Sequence, residues 1–189
     1  MTTNFLAVGG TGETGRRVAD RLRERGRPVR SAGTGKGKPM AAVVLVAAVV
    51  AAGLIAGLFY AYACSVMPGL ARGDDKTFVE GMRGINIAIV NPVFLLTFLG
   101  APLLAGVAVF LNPGPRPWVI AGFGCLVAML VITGVVSIPL NDALGRGGDD
   151  YAALRARFEA TWVCWNVLRA LVSTAGFGCL VAAVLTRRG

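Results

Sequence analysis

Residues 41–63 read AAVVLVAAVVAAGLIAGLFYAYA, without a single charge, and their reading decides the architecture. A helix needs roughly 20 mainly apolar residues to cross about 30 Å of hydrocarbon. The same test applied outward finds three more candidates. No charged side chain lies between Lys38 and Arg72, between Arg83 and Arg116, between Arg116 and Asp142, or between Arg169 and Arg187. Only helices satisfy their own backbone hydrogen bonds in lipid when spans are separate and apolar. The expected fold is therefore an all-α membrane protein, a four-transmembrane-helix bundle with spans at about 41–63, 88–111, 118–140 and 162–186.

Charge supports this partition. Of 189 residues 55% are hydrophobic and 15% charged, and the net charge is +9. Residues 1–39 carry nine Lys/Arg against three Asp/Glu, while residues 40–189 carry ten against seven. The excess is concentrated in a short leader beside the first span, so a nucleic-acid-binding face is not expected, and lipid or orientation explains the basic residues better. The chain has no histidine, which removes His-ligated metals and imidazole-based triads, and no metal site is expected. Its four cysteines form no CxxC pair and read as small apolar residues of the spans.

The leader, residues 1–39, departs from the membrane pattern. Asn4–Val8 and Arg27–Ala32 suit strands and Thr14–Arg25 a helix, a short N-terminal βαβ-like fragment. Gly9, Gly12 and Gly15 would form a turn before the helix. This stretch resembles the start of NmrA-like NAD(P)-binding reductases, whose glycine turn meets a pyrophosphate. The resemblance stops near residue 35, before the remaining strands of such a site. The expectation is a remnant or linker without function, no bound cofactor, and Met40 as an alternative start to Met1. Residues 40–189 form the membrane domain.

Within that domain Gly53 and Gly57 offer a small-xxx-small pair for close helix approach. Thr77 and Glu80 fit a capping box, placing a helix start near Phe78. That helix is expected to kink at Pro92 and continue as span two. Residues 112–117, NPGPRP, make a short turn between antiparallel spans. A loop is expected from Asn141 to Asp150, then a helix starting near Tyr151 that becomes span four. Four spans put both termini on one side, and the basic leader with Arg187 and Arg188 favours the cytoplasmic side.

The chemistry-bearing stretch is Phe158 to Gly176. Trp162, Asn166 and Arg169 stand at i, i+4 and i+7 on one helical face, with Phe158, Trp165, Ser173 and Gly176 in the same arc. An arginine inside a span costs on the order of 2.5–3.5 kcal/mol on insertion scales, so it needs a partner, water or a bundle interior. Two readings stand side by side. Arg169 pairs with Asp142, Glu159 or Glu80, or snorkels, and merely fixes packing; or it serves a site. Trp162 and Trp165 taken alone fit interfacial anchors.

Three pieces together resemble the small four-helix membrane family that includes anthrone oxygenases, in the manner of a bacterial member of unassigned function. They are Ser65-Val66-Met67-Pro68-Gly69-Leu70, Ile138-Pro139-Leu140-Asn141, and Trp162-x-x-x-Asn166-x-x-Arg169, with Asn86 and Asn91-Pro92 at polar positions between. The resemblance covers residues 41–186. It implies an integral protein of the bacterial plasma membrane that oxidises a flat aromatic polyketide anthrone to a quinone with O₂ and no cofactor. Arg169, Asn166 and Asn141 would be the catalytic group, and Trp162, Trp165, Asn86 and Asn91 would bind substrate, with Asp142 or Glu80 as a base. The competing classes are a non-catalytic carrier, channel subunit or partner-binding bundle, which would need to oligomerise to form a pathway, and a membrane-tethered NAD(P)-dependent reductase.

Overall fold

The structure, a computed structural model, describes residues 5–8, 21, 29–32 and 37–187. The chain divides into two units, Met1–Ala42 and Val43–Gly189. In the first, strands β1 (Phe5–Val8) and β2 (Val29–Ala32) pair in parallel, Phe5 opposite Val29 and Val8 opposite Ala32. The glycine turn with Gly9, Gly12 and Gly15 lies outside the described residues, as does all but Arg21 of the expected helix. Among the described residues two four-residue strands do not make a nucleotide-binding sheet, and the βαβ-like reading of the leader gains no support.

The second unit is helical. Four helical segments are long and apolar enough to cross a membrane: Pro39–Leu70, Pro92–Leu111, Arg116–Arg146 and Tyr151–Thr186. This makes the chain an integral membrane protein. Its many exposed apolar side chains, such as Leu54, Leu96, Phe110 and Leu185, are then the lipid-facing surface rather than a defect of packing.

Three of the spans run past the expected ends. In span one, α1 (Gly37–Ala61) continues through a π-helical turn at Tyr62–Val66 into α2 (Met67–Leu70). Between spans one and two lies α3 (Asp75–Ile89), and α4 (Pro92–Leu111) forms span two. In span three, α5 (Arg116–Ile132) continues through a π-helical turn at Thr133–Ser137 into α6 (Ile138–Arg146), so most of the loop expected from Asn141 to Asp150 is helix. Span four is the single helix α7 (Tyr151–Thr186), starting where expected, with Asp150 accepting from the Ala153 N–H.

Both π turns end two residues before a proline, and the residue between closes the wide hydrogen bond. The Met67 N–H reaches the Tyr62 carbonyl and the Ile138 N–H reaches the Thr133 carbonyl. Pro68 and Pro139 follow. Proline has no N–H and its ring crowds the carbonyl four residues back; a widened turn lets the helix pass instead of breaking.

Pro92 behaves differently from the expected kink. The helix ends at Ile89 and a new one begins at Pro92, because Asn91 caps it: its Oδ1 accepts from the Phe94 N–H at 3.0 Å while its Nδ2 donates to the Ala88 carbonyl at 3.0 Å. Proline at the first helical position costs nothing, since that N–H has no helical partner. The preceding helix also starts earlier than Phe78. Asp74, rather than Thr77, is its cap, accepting from the Thr77 N–H at 2.7 Å.

The buried face of α7 runs Phe158, Trp162, Asn166, Arg169, Ser173, Gly176, Leu180, Ala183, a stripe of three- and four-residue steps along the whole helix. It packs most extensively on α5, where Gly122 and Gly176 meet. A Cβ on Gly122 would lie 3.1 Å from the Gly176 carbonyl and 2.8 Å from Leu180 Cγ, so backbone rides on backbone here. The pair expected for this role divides otherwise. Gly53 receives the Phe177 ring, 3.1 Å from where its Cβ would be, while Gly57 faces nothing within 4 Å.

Two arginines secure the connections at the other end of the bundle. Arg83 of α3 donates to the Leu144, Gly147 and Gly148 carbonyls, satisfying the end of α6, and pairs with Glu80 at 2.8 Å. Arg155 of α7 donates to the Ala71 and Gly73 carbonyls and pairs with Asp75 and Glu159. With the buried Phe78, Val79 and Met82, these bonds hold α3 on α7 and α6.

Candidate functional site

Where spans one and three reach their π turns, the helices line a partly open cavity of about 610 Å³. Its inner end is Arg169, 5% exposed although it carries a full charge. The helix stripe that buries Phe158 and Trp162 also carries Arg169 inward, since seven residues are nearly two turns. Of the acids proposed from the sequence as its partners, Asp142 pairs with Arg146 at 4.0 Å, Glu159 with Arg155 and Glu80 with Arg83. None pairs with Arg169.

What surrounds the guanidinium instead is neutral. Its Nη2 donates to Asn166 Oδ1 at 3.1 Å and its Nη1 to Thr133 Oγ1 at 3.5 Å, the latter at the limit of a hydrogen bond. The Phe59 ring lies 4.5 Å and the Trp162 ring 5.2 Å from its Cζ, both within the range of a cation–π contact. Its Nε is buried and has no hydrogen-bond partner among the described residues. A buried cation held only by dipoles and ring faces is under-compensated, because each of these contacts is weaker than a carboxylate in the same medium.

Each neighbour is placed by a second contact. Asn166, 1% exposed, donates through Nδ2 to the Phe59 carbonyl at 3.2 Å, so the amide that orients Arg169 also ties α7 to span one. Trp162 donates through Nε1 to Asn141 Oδ1 at 2.9 Å and stacks on Phe158 with ring centres 5.9 Å apart. Tyr62 tilts against Trp162 with ring centres 5.7 Å apart. Asn86 lines the cavity from α3, and its buried Nδ2 likewise has no partner among the described residues.

Of the residues singled out from the sequence, Arg169, Asn166, Asn141, Trp162 and Asn86 therefore line one cavity, together with Asp142. Trp165 and Asn91 are not brought to it. Trp165 is half-buried at the edge of the α7 stripe, and Asn91 is exposed and spent on its cap. Glu80 is not among the lining residues either. Conversely, Tyr62, Phe59, Thr133 and Ser137 line it without having been singled out. The usable signal for Tyr62 and Thr133 was the Pro68 and Pro139 spacing: each begins the widened turn, six residues before a proline.

A protein-family model for anthrone oxygenase matches residues 85–179, half of the chain. The chain belongs to the anthrone oxygenase family. The matched segment holds Asn86, Thr133, Asn141, Trp162, Asn166 and Arg169, so most of the polar cavity wall falls within the family region. Tyr62 and Phe59 precede it. The match does not reach the leader, and the NmrA-like resemblance of residues 1–35 finds no support in it. No curated protein and no solved structure matches the chain.

As a member of the anthrone oxygenase family the chain carries a wall that can do two things chemically. The guanidinium and the free amide donor can hold oxygen atoms, preferring those that bear negative charge. The Tyr62, Trp162 and Phe94 rings supply flat apolar surface. Among the described residues no cluster of His, Cys, Asp and Glu able to hold a metal occurs.

Proposed function

We propose that this protein oxidises a planar aromatic anthrone to the corresponding quinone, with O₂ as oxidant and no cofactor, inside the cavity closed by Arg169. The observation that carries this reading is the buried guanidinium with a spare N–H and no acid partner among the described residues, a group suited to receive an oxyanion. An anthrone supplies one. Loss of a proton from its CH₂ gives an extended, phenolate-like anion whose charge rests on the ring oxygen, and a fixed cation at that oxygen makes the proton loss easier.

The anion is electron-rich enough to react with O₂ directly. A carbon–oxygen bond forms at the former CH₂, giving a hydroperoxide once a proton is returned. Breaking its O–O bond with loss of the remaining C–H hydrogen leaves one oxygen as the new carbonyl and the other as water. Arg169 holds the developing oxyanion, Asn166 and Asn141 position Arg169 and Trp162, and Trp162 with Tyr62 flanks the rings. Asp142, the one carboxylate among the described lining residues, is the candidate to take the first proton.

Membranes carrying the protein should convert 1,8-dihydroxyanthrone with matching oxygen uptake, and Arg169→Ala or Asn166→Ala should abolish the conversion. Unchanged turnover by either variant, correctly inserted, refutes the assignment. Solute flux into reconstituted vesicles without oxidation would favour a carrier instead.

A further inference from the structure

We infer that the cavity is loaded sideways from the bilayer, through a slot between the α3–α4 junction and α6. This deepens the proposed function and rests on the cavity being the ligand site. The first observation is the rim. Ile87, Val90 and Leu95 line one side of the cavity and Ile138 the other, yet they are 78%, 66%, 38% and 51% exposed. Val93 and Leu96, each 77% exposed, continue the same apolar surface down α4. Residues that both line a cavity and face outward mark its opening, and aliphatic ones beside a span face hydrocarbon rather than water.

The fold explains why the opening is there. The Asn91 cap and Pro92 start α4 afresh after α3, and α4 packs along α5, the half of span three nearer the 112–117 turn. It packs on α5 far more than on α6, and the cavity lies where the α3–α4 junction and α6 face each other. The outer corner of the gap is polar, where Asp142 and Arg146 pair at 4.0 Å with both side chains more than half exposed. The slot thus has an apolar flank and one charged corner, the profile of the zone between acyl chains and headgroups.

The ligand's polarity follows from the inner wall. Arg169 Nε and Asn86 Nδ2, on different helices, are buried donors with no partner among the described residues. Leaving a buried donor unmatched is costly, more so when it is charged. A ligand that matches both must present two acceptors, and one that crosses an aliphatic rim must otherwise be apolar. The volume suits a molecule of a few fused rings, since small-molecule sites run to about 300–1,000 Å³.

The test reads entry without needing turnover. A protein whose sole tryptophan is Trp162 (Trp118→Phe, Trp165→Phe) is placed in phosphatidylcholine vesicles, with bromine on the acyl chains as lipid quencher or iodide in the water. Trp162 is only 5% exposed, yet the brominated chains should remove most of its emission and iodide little. Narrowing the slot with Val90→Phe and Ile138→Phe, or Ile138→Phe alone if the pair does not insert, should restore emission. Quenching by iodide rather than lipid, no quenching by either, or quenching that survives the narrowed slot overturns lateral entry. Oxidation chemistry fed from water would survive that result, and a laterally open but inert cavity would still be quenched, so the two readings fail separately.

Discussion

The indole nitrogen of Trp162 donates to the side-chain oxygen of Asn141 across 2.9 Å, joining the entry of span four to the end of span three. Trp162→Phe removes the N–H together with some buried ring area, so a double-variant cycle with Asn141 is needed to isolate this bond. Trp162→Phe should lower stability by about 1 kcal/mol. Asn141→Leu should cost a similar amount, and the double variant should cost less than the sum. Equilibrium unfolding in mixed micelles measures the coupling; strict additivity would show that the bond contributes nothing.

Arg169→Lys keeps the charge but not the planar fork that meets Asn166 and Thr133 while lying against two rings. The expected result is anthrone turnover reduced by about 10²-fold or more, as for loss of one oxyanion donor, in a protein that still inserts. Activity within a few-fold of the parent would mean that charge alone, not its placement, is used.

The close crossing of α5 and α7 predicts a contrast between two glycines. Gly122→Ala forces a Cβ against Leu180 and the Gly176 carbonyl, and should cost about 1–3 kcal/mol. Gly57→Ala meets nothing within 4 Å and should be neutral or stabilising by about 0.5–1 kcal/mol, the helix preference for alanine. The same unfolding assay ranks them, and equal effects would contradict the packing.

Arg155→Gln removes bonds to the Ala71 and Gly73 carbonyls and both ion pairs. The connection at 71–75 should become the first site of proteolysis and the melting temperature should fall. Arg157→Gln, an exposed neighbour, should leave both unchanged.

The Asp74 cap gives a pH dependence of known sign. Its hydrogen bond with Thr77 holds the carboxyl below the ordinary carboxylate range. A group whose folded pKa is depressed contributes its stability above the unfolded value and loses it as pH falls through the folded one. Acid should therefore loosen α3 first, and Asp74→Asn, a cap without a titrating proton, should flatten that acid limb. Amide exchange at Thr77 followed against pH measures it; identical profiles would remove Asp74 as the cause.

Four spans, the membrane setting and the inward face of span four were legible in the residue order, because hydropathy and a 3.6-residue period are local properties. The helix ends were less so. Pro92 by itself predicts a kink, but Asn91 caps a fresh helix there; Asn141 lies in a polar stretch that predicts a loop, but the widened turn before Pro139 lets the helix run past it. The chemistry of the interior lay deeper still. That Arg169 sits against Phe59 and Thr133 rather than an acid, that Asn86 keeps a spare donor, and that Trp165 misses the cavity while Tyr62 lines it all depend on how four helices are rotated and crossed. Those angles are set by contacts between residues far apart in the chain, such as Gly122 on Gly176, and no single stretch of sequence contains them.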